Sequence, residues 1–166
     1  LRVQKKDLFL DKNSFRILKP NDAALVGTLG LIKSSFAFMA GRIDPPSSVE
    51  SLTLQKLNRM AELGWVVVIG KPVMACVVAT PRRHSLYLGK ISVDPSVRGQ
   101  GVARALVAAC EPLAVKLGVN YLELQVRIEL LENQRAFARL GFVKVSDDCH
   151  SGYDRVTEIT MQKTFN

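Results

Sequence analysis

Apolar residues recur along the chain with two spacings, one typical of helices and one typical of strands. Intervals of three and four residues predict helices after Asp22, over Leu54 to Ala61, over Gly101 to Leu117 and over Glu132 to Leu140. Short apolar or alternating runs predict strands at 14–18, 65–69, 73–80, 86–93, 121–127, 141–145 and 156–161. The predicted order is therefore β-α-α-β-β-β-α-β-α-β-β.

Prolines interrupt this pattern at two places. Pro45 and Pro46 lie between the first two predicted helices, and two adjacent prolines exclude both helix and strand pairing there. Pro112 lies inside the third predicted helix, which we expect it to kink or split. Residues 1–13 are polar and predict a loose N-terminal arm, so the expected domain covers residues 14–166.

The composition is that of one ordinary globular domain. The chain has 166 residues, of which 48% are hydrophobic and 23% charged, and this excludes disorder, a collagen-like repeat and a small disulfide scaffold. The longest apolar runs are only strand-sized, so no membrane span or signal peptide is predicted. Cys76, Cys110 and Cys149 are scattered and form no C-x-x-C motif, so we expect no metal and a reducing, cytoplasmic location.

The net charge of +8 favours partners that carry phosphate. Nucleic acid, anionic lipid and nucleotide cofactors all qualify. The charge is diffuse, however, and its densest cluster is only the short segment 81–84. Because no basic run with interleaved aromatic residues is present, we expect no nucleic-acid partner and no membrane partner.

The most informative stretch runs from Lys90 to Arg104, where a predicted strand leads through a glycine-rich turn into a helix. Glycines allow close approach of a ligand, and the first N–H groups of a helix lie at its positive end. Such an arrangement can bind phosphate, although an ordinary turn without a ligand is the alternative. The stretch is neither a Walker A loop nor a G-x-G-x-x-G dinucleotide fingerprint, since the required residues are missing.

Two segments together resemble the GCN5-related N-acetyltransferase (GNAT) family. Arg98-x-x-Gly101-x-Ala103 matches its acetyl-CoA signature [Q/R]-x-x-G-x-[G/A], and residues 133–142 look like its second cofactor segment, a short helix that ends in L-G-F. The resemblance covers residues 14–162. It implies an α/β (α+β) fold of GNAT type, with a mixed, mostly antiparallel central sheet of six to seven strands flanked by about four helices.

The resemblance also implies acetyl-CoA as the acyl donor and suggests how coenzyme A is held. Amides of the glycine loop would bind the pyrophosphate, the strand before the loop would bind the pantetheine arm, and a bulge would suit Gly89. An N–H near Ile91 would polarise the thioester carbonyl. The implied cofactor-binding residues are Ile91, Ser92, Val93, Arg98, Gly99, Gln100, Gly101, Val102, Ala103, Arg104, Asn133 and Phe137.

The chain departs from the family where the acid and base of the reaction usually lie. Many members have a tyrosine four residues before the glycine of L-G-F, whereas Phe137 occupies this position here. Many also have a glutamate on the strand before the glycine loop, and residues 86–92 contain no carboxylate. His150 and Tyr153, in the loop before the last strand, are the candidate catalytic residues. The alternative is that they belong to a solvated turn.

Two carboxylates are candidates for binding the acceptor. Glu123 lies on a predicted strand and can approach an amine, as can Glu129. Asp44 lies between the first two helices, a region that commonly borders the acceptor site in this family. It can equally serve only to begin a turn before Pro45.

Three functions remain open from the sequence. The leading hypothesis is an N-acetyltransferase that transfers acetyl directly to a primary amine of a small molecule or to an exposed amino group. A binding module that holds acyl-CoA without efficient catalysis is the second, favoured by Phe137. A basic nucleic-acid-binding protein is the third. Dimerisation is common in the family, so a homodimer is a further open expectation.

Overall fold

Seven strands and four α-helices are formed by the residues that the computed structural model describes, namely residue 11 and residues 13–165. The strands are β1 Phe15–Leu18, β2 Trp65–Ile69, β3 Ala75–Pro81, β4 Leu86–Val93, β5 Tyr121–Arg127, β6 Val143–Asp148 and β7 Glu158–Thr164. The helices are α1 Ala24–Phe36, α2 Leu54–Leu63, α3 Val102–Leu117 and α4 Leu131–Arg139. The predicted order of elements is confirmed. The expected arm at 1–13 lies almost wholly outside the described residues and stays a prediction.

All strands belong to one sheet in the order β1-β2-β3-β4-β5-β7-β6. Every neighbouring pair is antiparallel except β4 and β5, which run parallel. The expected mixed, mostly antiparallel sheet is therefore confirmed. The parallel pair is short, because only Leu86↔Leu122 and Tyr87↔Glu123 are in register before the two strands separate.

Helices cover the sheet on both faces. Leu25 and Ile32 of α1 and Leu57 of α2 pack with alternate residues of β2 and β3 on one face. Leu106 and Cys110 of α3 pack on the other face, where the core extends to β5 and β7. Strand side chains alternate between faces, so β2 and β3, which are apolar at every position from 66 to 69 and from 75 to 79, can serve both cores.

Pro112 was expected to kink or split its helix, and the structure contradicts the split. Helix α3 continues through this residue from Val102 to Leu117. Proline removes the N–H that would bond the carbonyl of Ala108, but both residues are exposed, so water can replace the missing partner. The face of the helix on which proline lies therefore decides whether the helix can continue.

The last two strands differ from their predicted bounds. Strand β6 reaches Asp148 and β7 begins at Glu158, because Ser146, Asp147 and Asp148 pair with residues of β7. Strand β6 lies at the sheet edge and is largely exposed, so its polar residues give no apolar pattern to detect. In the described part of the chain, no helix has both the length and the apolar character that crossing a membrane requires.

Replacing Pro112 with alanine should stabilise the protein. Alanine restores an N–H to the exposed face of α3, and a proline inside a helix is about 3 kcal/mol less favourable than alanine. Because proline also restricts the unfolded chain, we expect a net gain of about 1–2 kcal/mol in the free energy of unfolding. Urea denaturation of the P112A variant measures it. A loss of stability would contradict the argument.

Candidate functional site

A cleft of about 1480 Å³ opens where β4 and β5 separate. Its walls are formed by β4, the glycine loop and the start of α3 on one side and by β5 and α4 on the other. The end of α1 and the segment 45–49 close it from above the sheet. The volume exceeds the range of about 300–1,000 Å³ typical of small-molecule sites. The cleft can therefore hold a long ligand together with a second, smaller one.

A bulge in β4 accompanies the separation. Cys76 pairs with Ser92 and Val78 pairs with Gly89, so β4 has one residue more than β3 in this interval. The bulge expected at Gly89 is present, and its positive φ, 55°, falls on Lys90. The Ser92 hydroxyl donates a hydrogen bond to the Lys90 carbonyl at 3.0 Å and holds the bulge. Bulges redirect backbone groups, and here the residues of the bulge line the cleft.

Burial affects two side chains at the bulge. It raises the pKa of the Cys76 thiol to about 12, so this thiol stays protonated, and its sulfur lies 4.0 Å from the Lys90 carbonyl oxygen. Burial also lowers the pKa of the Lys90 ammonium. The Lys90 carbonyl thus accepts from two uncharged groups, the Ser92 hydroxyl and the Cys76 thiol.

The glycine loop presents the start of α3 to the cleft. Gly99 and Gly101 adopt φ values of 74° and 79°, which glycine tolerates without strain. Gly101 is the N-cap residue, and no side chain among the described residues caps the helix there. A Cβ added to Gly99 would meet nothing within 4 Å. The loop therefore leaves an open cradle beside the positive end of α3, which suits a phosphate group.

Basic side chains surround this cradle. Arg98, Arg104 and Arg139 line the same part of the cleft. Arg104 donates to the Arg139 carbonyl at 3.1 Å, which joins the start of α3 to the end of α4. Arg98 donates through Nε to the Val93 carbonyl at 3.1 Å. Arg139 was not among the predicted residues, although its place in the α4 segment could have suggested it.

The structure brings nearly all of the predicted cofactor residues together. Ile91, Ser92, Val93, Arg98, Gly99, Gly101, Val102, Ala103, Arg104, Asn133 and Phe137 all line the cleft. Gln100 is not part of the lining, and its side chain donates to the Ser96 carbonyl at 3.4 Å. Phe137 packs edge-on against Phe142, with ring centroids 6.1 Å apart.

The other end of the cleft carries His150 beside Glu158, with 29% and 16% of their side chains exposed. His150 Nε2 lies 3.5 Å from Glu158 Oε2, and Nδ1 lies 2.6 Å from the Thr157 hydroxyl. Thr157 also accepts a hydrogen bond from the His150 amide at 2.9 Å. The imidazole is thus oriented by its neighbours, and the pair can exchange a proton with a ligand. Glu158 could not be identified from the sequence, because its position depends on where β7 begins.

Tyr153 and Asp44 bind each other at the rim of the cleft instead of lining it. The Tyr153 hydroxyl donates to Asp44 Oδ1 at 2.7 Å, and Arg155 donates to Asp44 Oδ2 at 2.9 Å. The hydrogen bond from Tyr153, followed by Arg155, lowers the pKa of Asp44, and the same hydrogen bond raises the pKa of Tyr153. These contacts connect the segment that contains Pro45 and Pro46 to the loop between β6 and β7.

Glu123 also lies outside the lining of the cleft. One carboxylate oxygen accepts from Arg82 at 2.7 Å, and the other accepts from Gln162 at 2.8 Å. Glu129 lies nearer the rim, where its Oε1 accepts from the Asp44 amide at 3.4 Å. Gln125 and Arg127 lie on the same face of β5 as Glu123, and both line the cleft.

Comparison with known proteins agrees with this architecture. The sequence profile of the Acetyltransferase (GNAT) family matches residues 31–142, which is more than half of the chain. Among curated proteins, no sequence matches the chain.

Solved structures with the same fold include an acetyltransferase from Streptococcus agalactiae 2603, with a TM-score of 0.70, 13% identity and coverage of 92% of this chain and 98% of that chain. A GCN5-related N-acetyltransferase from Rhodopseudomonas palustris has a TM-score of 0.69 at 16% identity, with 96% and 99% covered. A chain of the NatC complex bound to Gag peptide and CoA has a TM-score of 0.63 at 16% identity, with 92% and 98% covered. At these identities the likeness concerns the fold.

Because Lys90 has a positive φ, substitutions at this position test the backbone geometry of the bulge. Glycine adopts this conformation freely, whereas a residue with a Cβ is strained in it by about 1–2 kcal/mol. We therefore expect the K90G variant to be more stable than the matched K90A variant by about 0.5–1 kcal/mol, after allowance for the greater freedom of glycine in the unfolded chain. Chemical denaturation of both variants measures the difference. A more stable K90A variant would show that Lys90 is not held at positive φ.

Proposed function

Because the chain belongs to the GNAT acetyltransferase family, we propose that it transfers an acetyl group from acetyl-CoA directly to a primary amine of a small molecule or to an exposed amino group. The observation that carries this proposal is the cleft between β4 and β5, which has a phosphate cradle at one end and the His150–Glu158 pair at the other. The cradle suits the phosphates of the donor, and the His150–Glu158 pair suits the ionisable amine of the acceptor.

The residues of the cleft fit the parts of acetyl-CoA. The amides at the start of α3 would hold the pyrophosphate, with Arg98 and Arg104 beside it. The backbone of Ile91 to Val93, which is unpaired on the side of β5, would hydrogen-bond the pantetheine arm. Asn133 and Phe137 would flank that arm from α4. A chain of the same fold belongs to the NatC complex, which was solved with CoA, and this agrees with CoA as the ligand of the cleft.

Bound acetyl-CoA supplies an activated acetyl group as a thioester. The amide near Ile91 would stabilise the negative charge that develops on the carbonyl oxygen. An alkylammonium has a pKa near ~10.4 and must lose a proton before it can attack. We assign that proton to the His150–Glu158 pair, which faces the cleft. Tyr153 instead fixes Asp44 at the rim, where the two residues shape the entrance.

The acceptor half of the cleft combines these polar groups with an apolar wall. Phe36, Phe38, Met39 and Ile43, from the end of α1 and the following segment, line this wall. Phe38 is 44% exposed and stacks with Arg42, whose guanidinium carbon lies 5.4 Å from the ring centroid. An amine carried on an apolar body fits such a wall better than a polycation does.

A catalytically weak acyl-CoA-binding module is the second candidate function. Phe137, which cannot donate a proton, favours it. The expectations that no metal, no nucleic-acid partner and no membrane partner are involved stay predictions. The cytoplasmic location and the homodimer stay predictions as well.

A thiol-release assay over a panel of amines tests the proposal. The panel should contain arylalkylamines, amino acids, polyamines, an aminoglycoside and peptides with a free N-terminus. We expect CoA release that depends on both acetyl-CoA and one class of amine. Binding of acetyl-CoA without release for any class would favour the binding module, and no binding would refute both functions.

The G101E variant should lose acetyl-CoA binding. The added carboxylate would enter the phosphate cradle, where it fills space and repels the ligand. Isothermal titration calorimetry measures the affinity, with G118E as the matched control. Gly118 caps the opposite end of α3 with φ 72°, so the control has the same charge change and a similar backbone strain. Equal affinity of the two variants would refute the assignment of the cradle.

The E158Q variant should retain acetyl-CoA binding and lose turnover. The amide has nearly the shape of the carboxylate but cannot accept the amine proton, so kcat/KM for the amine should fall by about 10²–10⁴-fold. The E62Q variant, changed on the exposed surface of α2, is the control. Activity of E158Q within ~3-fold of the control would exclude Glu158 as part of the base.

A further inference from the structure

The proposed reaction needs a proton donor that the α4 segment does not contain. When the carbon–sulfur bond of a thioester breaks, the electron pair leaves with sulfur, and the thiolate needs a proton or a hydrogen-bond donor. Phe137, at the position where the family resemblance places a tyrosine, packs on Phe142 and offers no such group. Asn133 of α4 also lines the cleft and can donate a hydrogen bond, but its amide cannot give up a proton, so an acid must come from another element of the cleft.

Tyr87 on β4 lies where the cleft begins. It pairs with Glu123 in the last register pair before β4 and β5 separate, and it lines the cleft. Residues in register on neighbouring strands share a face of the sheet, and Glu123 in turn pairs with Gln162 of β7. Tyr87 therefore lies on the same face of the sheet as Arg127 and Glu158. This is the face on which the proposed function places the amine acceptor.

The ring of Tyr87 is held along the strand towards the bulge. A Cβ on Gly89 would lie 3.2 Å from Cε1 of the ring and 3.8 Å from Cδ1, so the ring extends over Gly89. The Arg82 guanidinium carbon lies 3.8 Å from the ring centroid, and Arg82 is itself fixed by Glu123. The missing side chain at Gly89 therefore makes room for the phenol beside the bulge.

The Tyr87 hydroxyl is available to a ligand. Among the described residues, no group accepts a hydrogen bond from it. Burial raises the pKa of the phenol, Arg82 opposes this, and the carboxylates of Glu158 and Glu123 raise the pKa further. The phenol therefore keeps its proton at neutral pH, and Glu158 is close enough to interact with it electrostatically.

We propose that Tyr87 is a catalytic residue whose hydroxyl protonates the leaving sulfur, in place of the donor that Phe137 cannot supply. This inference rests on the proposed function. The acceptor nitrogen bonds to the acetyl carbon, the carbon–sulfur bond breaks, and sulfur takes the proton of Tyr87. The amine proton passes to the His150–Glu158 pair, which returns it to the phenolate. The balanced products are the amide and CoA thiol.

The Y87F variant tests this inference, because it keeps the ring on Gly89 and removes only the hydroxyl. Its matched control is Y121F, changed at an exposed tyrosine at the start of β5, outside the cleft. We expect Y87F to lower kcat by about 10²-fold or more while KM for acetyl-CoA stays within ~3-fold. A kcat within ~3-fold of the control would overturn the inference.

A second measurement needs no acceptor. At pH 9 a thiol with a pKa near ~8.5 is largely thiolate. A hydrogen bond from Tyr87 to that thiolate should make CoA bind about tenfold more tightly to the wild type than to Y87F, with the affinity for acetyl-CoA nearly unchanged. Equal CoA affinities would overturn the role of Tyr87 even if turnover of an amine proves the proposed function. Absence of any CoA binding to the wild type would refute both.

Discussion

The parallel pairing of β4 with β5 ends after two register pairs, and the rest of the candidate site depends on that end. The bulge at Lys90 redirects β4 while β3 still pairs with it on the other side. Polar backbone groups are thereby left without strand partners in the middle of a sheet. Buried groups of this kind favour a ligand that can replace the missing strand. The candidate site is thus a consequence of the strand pairing itself.

The two ends of the cleft differ in their polar groups. Arg98, Arg104 and Arg139 lie around the start of α3, whereas the other end combines Glu158 with His150 and with Arg127, the register partner of Glu158. The net charge of +8, which is diffuse in the sequence, is in part concentrated in space around the cradle. Under the proposed function, the phosphates would bind at the first end and the amine at the second, and the reacting groups would meet between them at the bulge.

Features set by local sequence could be predicted, whereas features set by distant pairing could not. The period of apolar residues located the strands and helices, and the residues from Arg98 to Ala103 located the cradle. The tolerance of Pro112 depends on which face of α3 meets the core. The contact of Tyr153 with Asp44 joins residues 109 positions apart, and the place of Glu158 depends on the register between β6 and β7. No local pattern contains that information.

Hydrogen–deuterium exchange with and without acetyl-CoA tests the central claim, that the unpaired edge of β4 and the start of α3 form the donor site. We predict slower exchange in residues 89–93 and 99–104, with unchanged exchange in β1, β2 and α2, which contribute no residue to the lining of the cleft. A saturable complex that leaves β4 and the glycine loop unprotected would contradict the account, because the ligand would then bind outside the gap between β4 and β5.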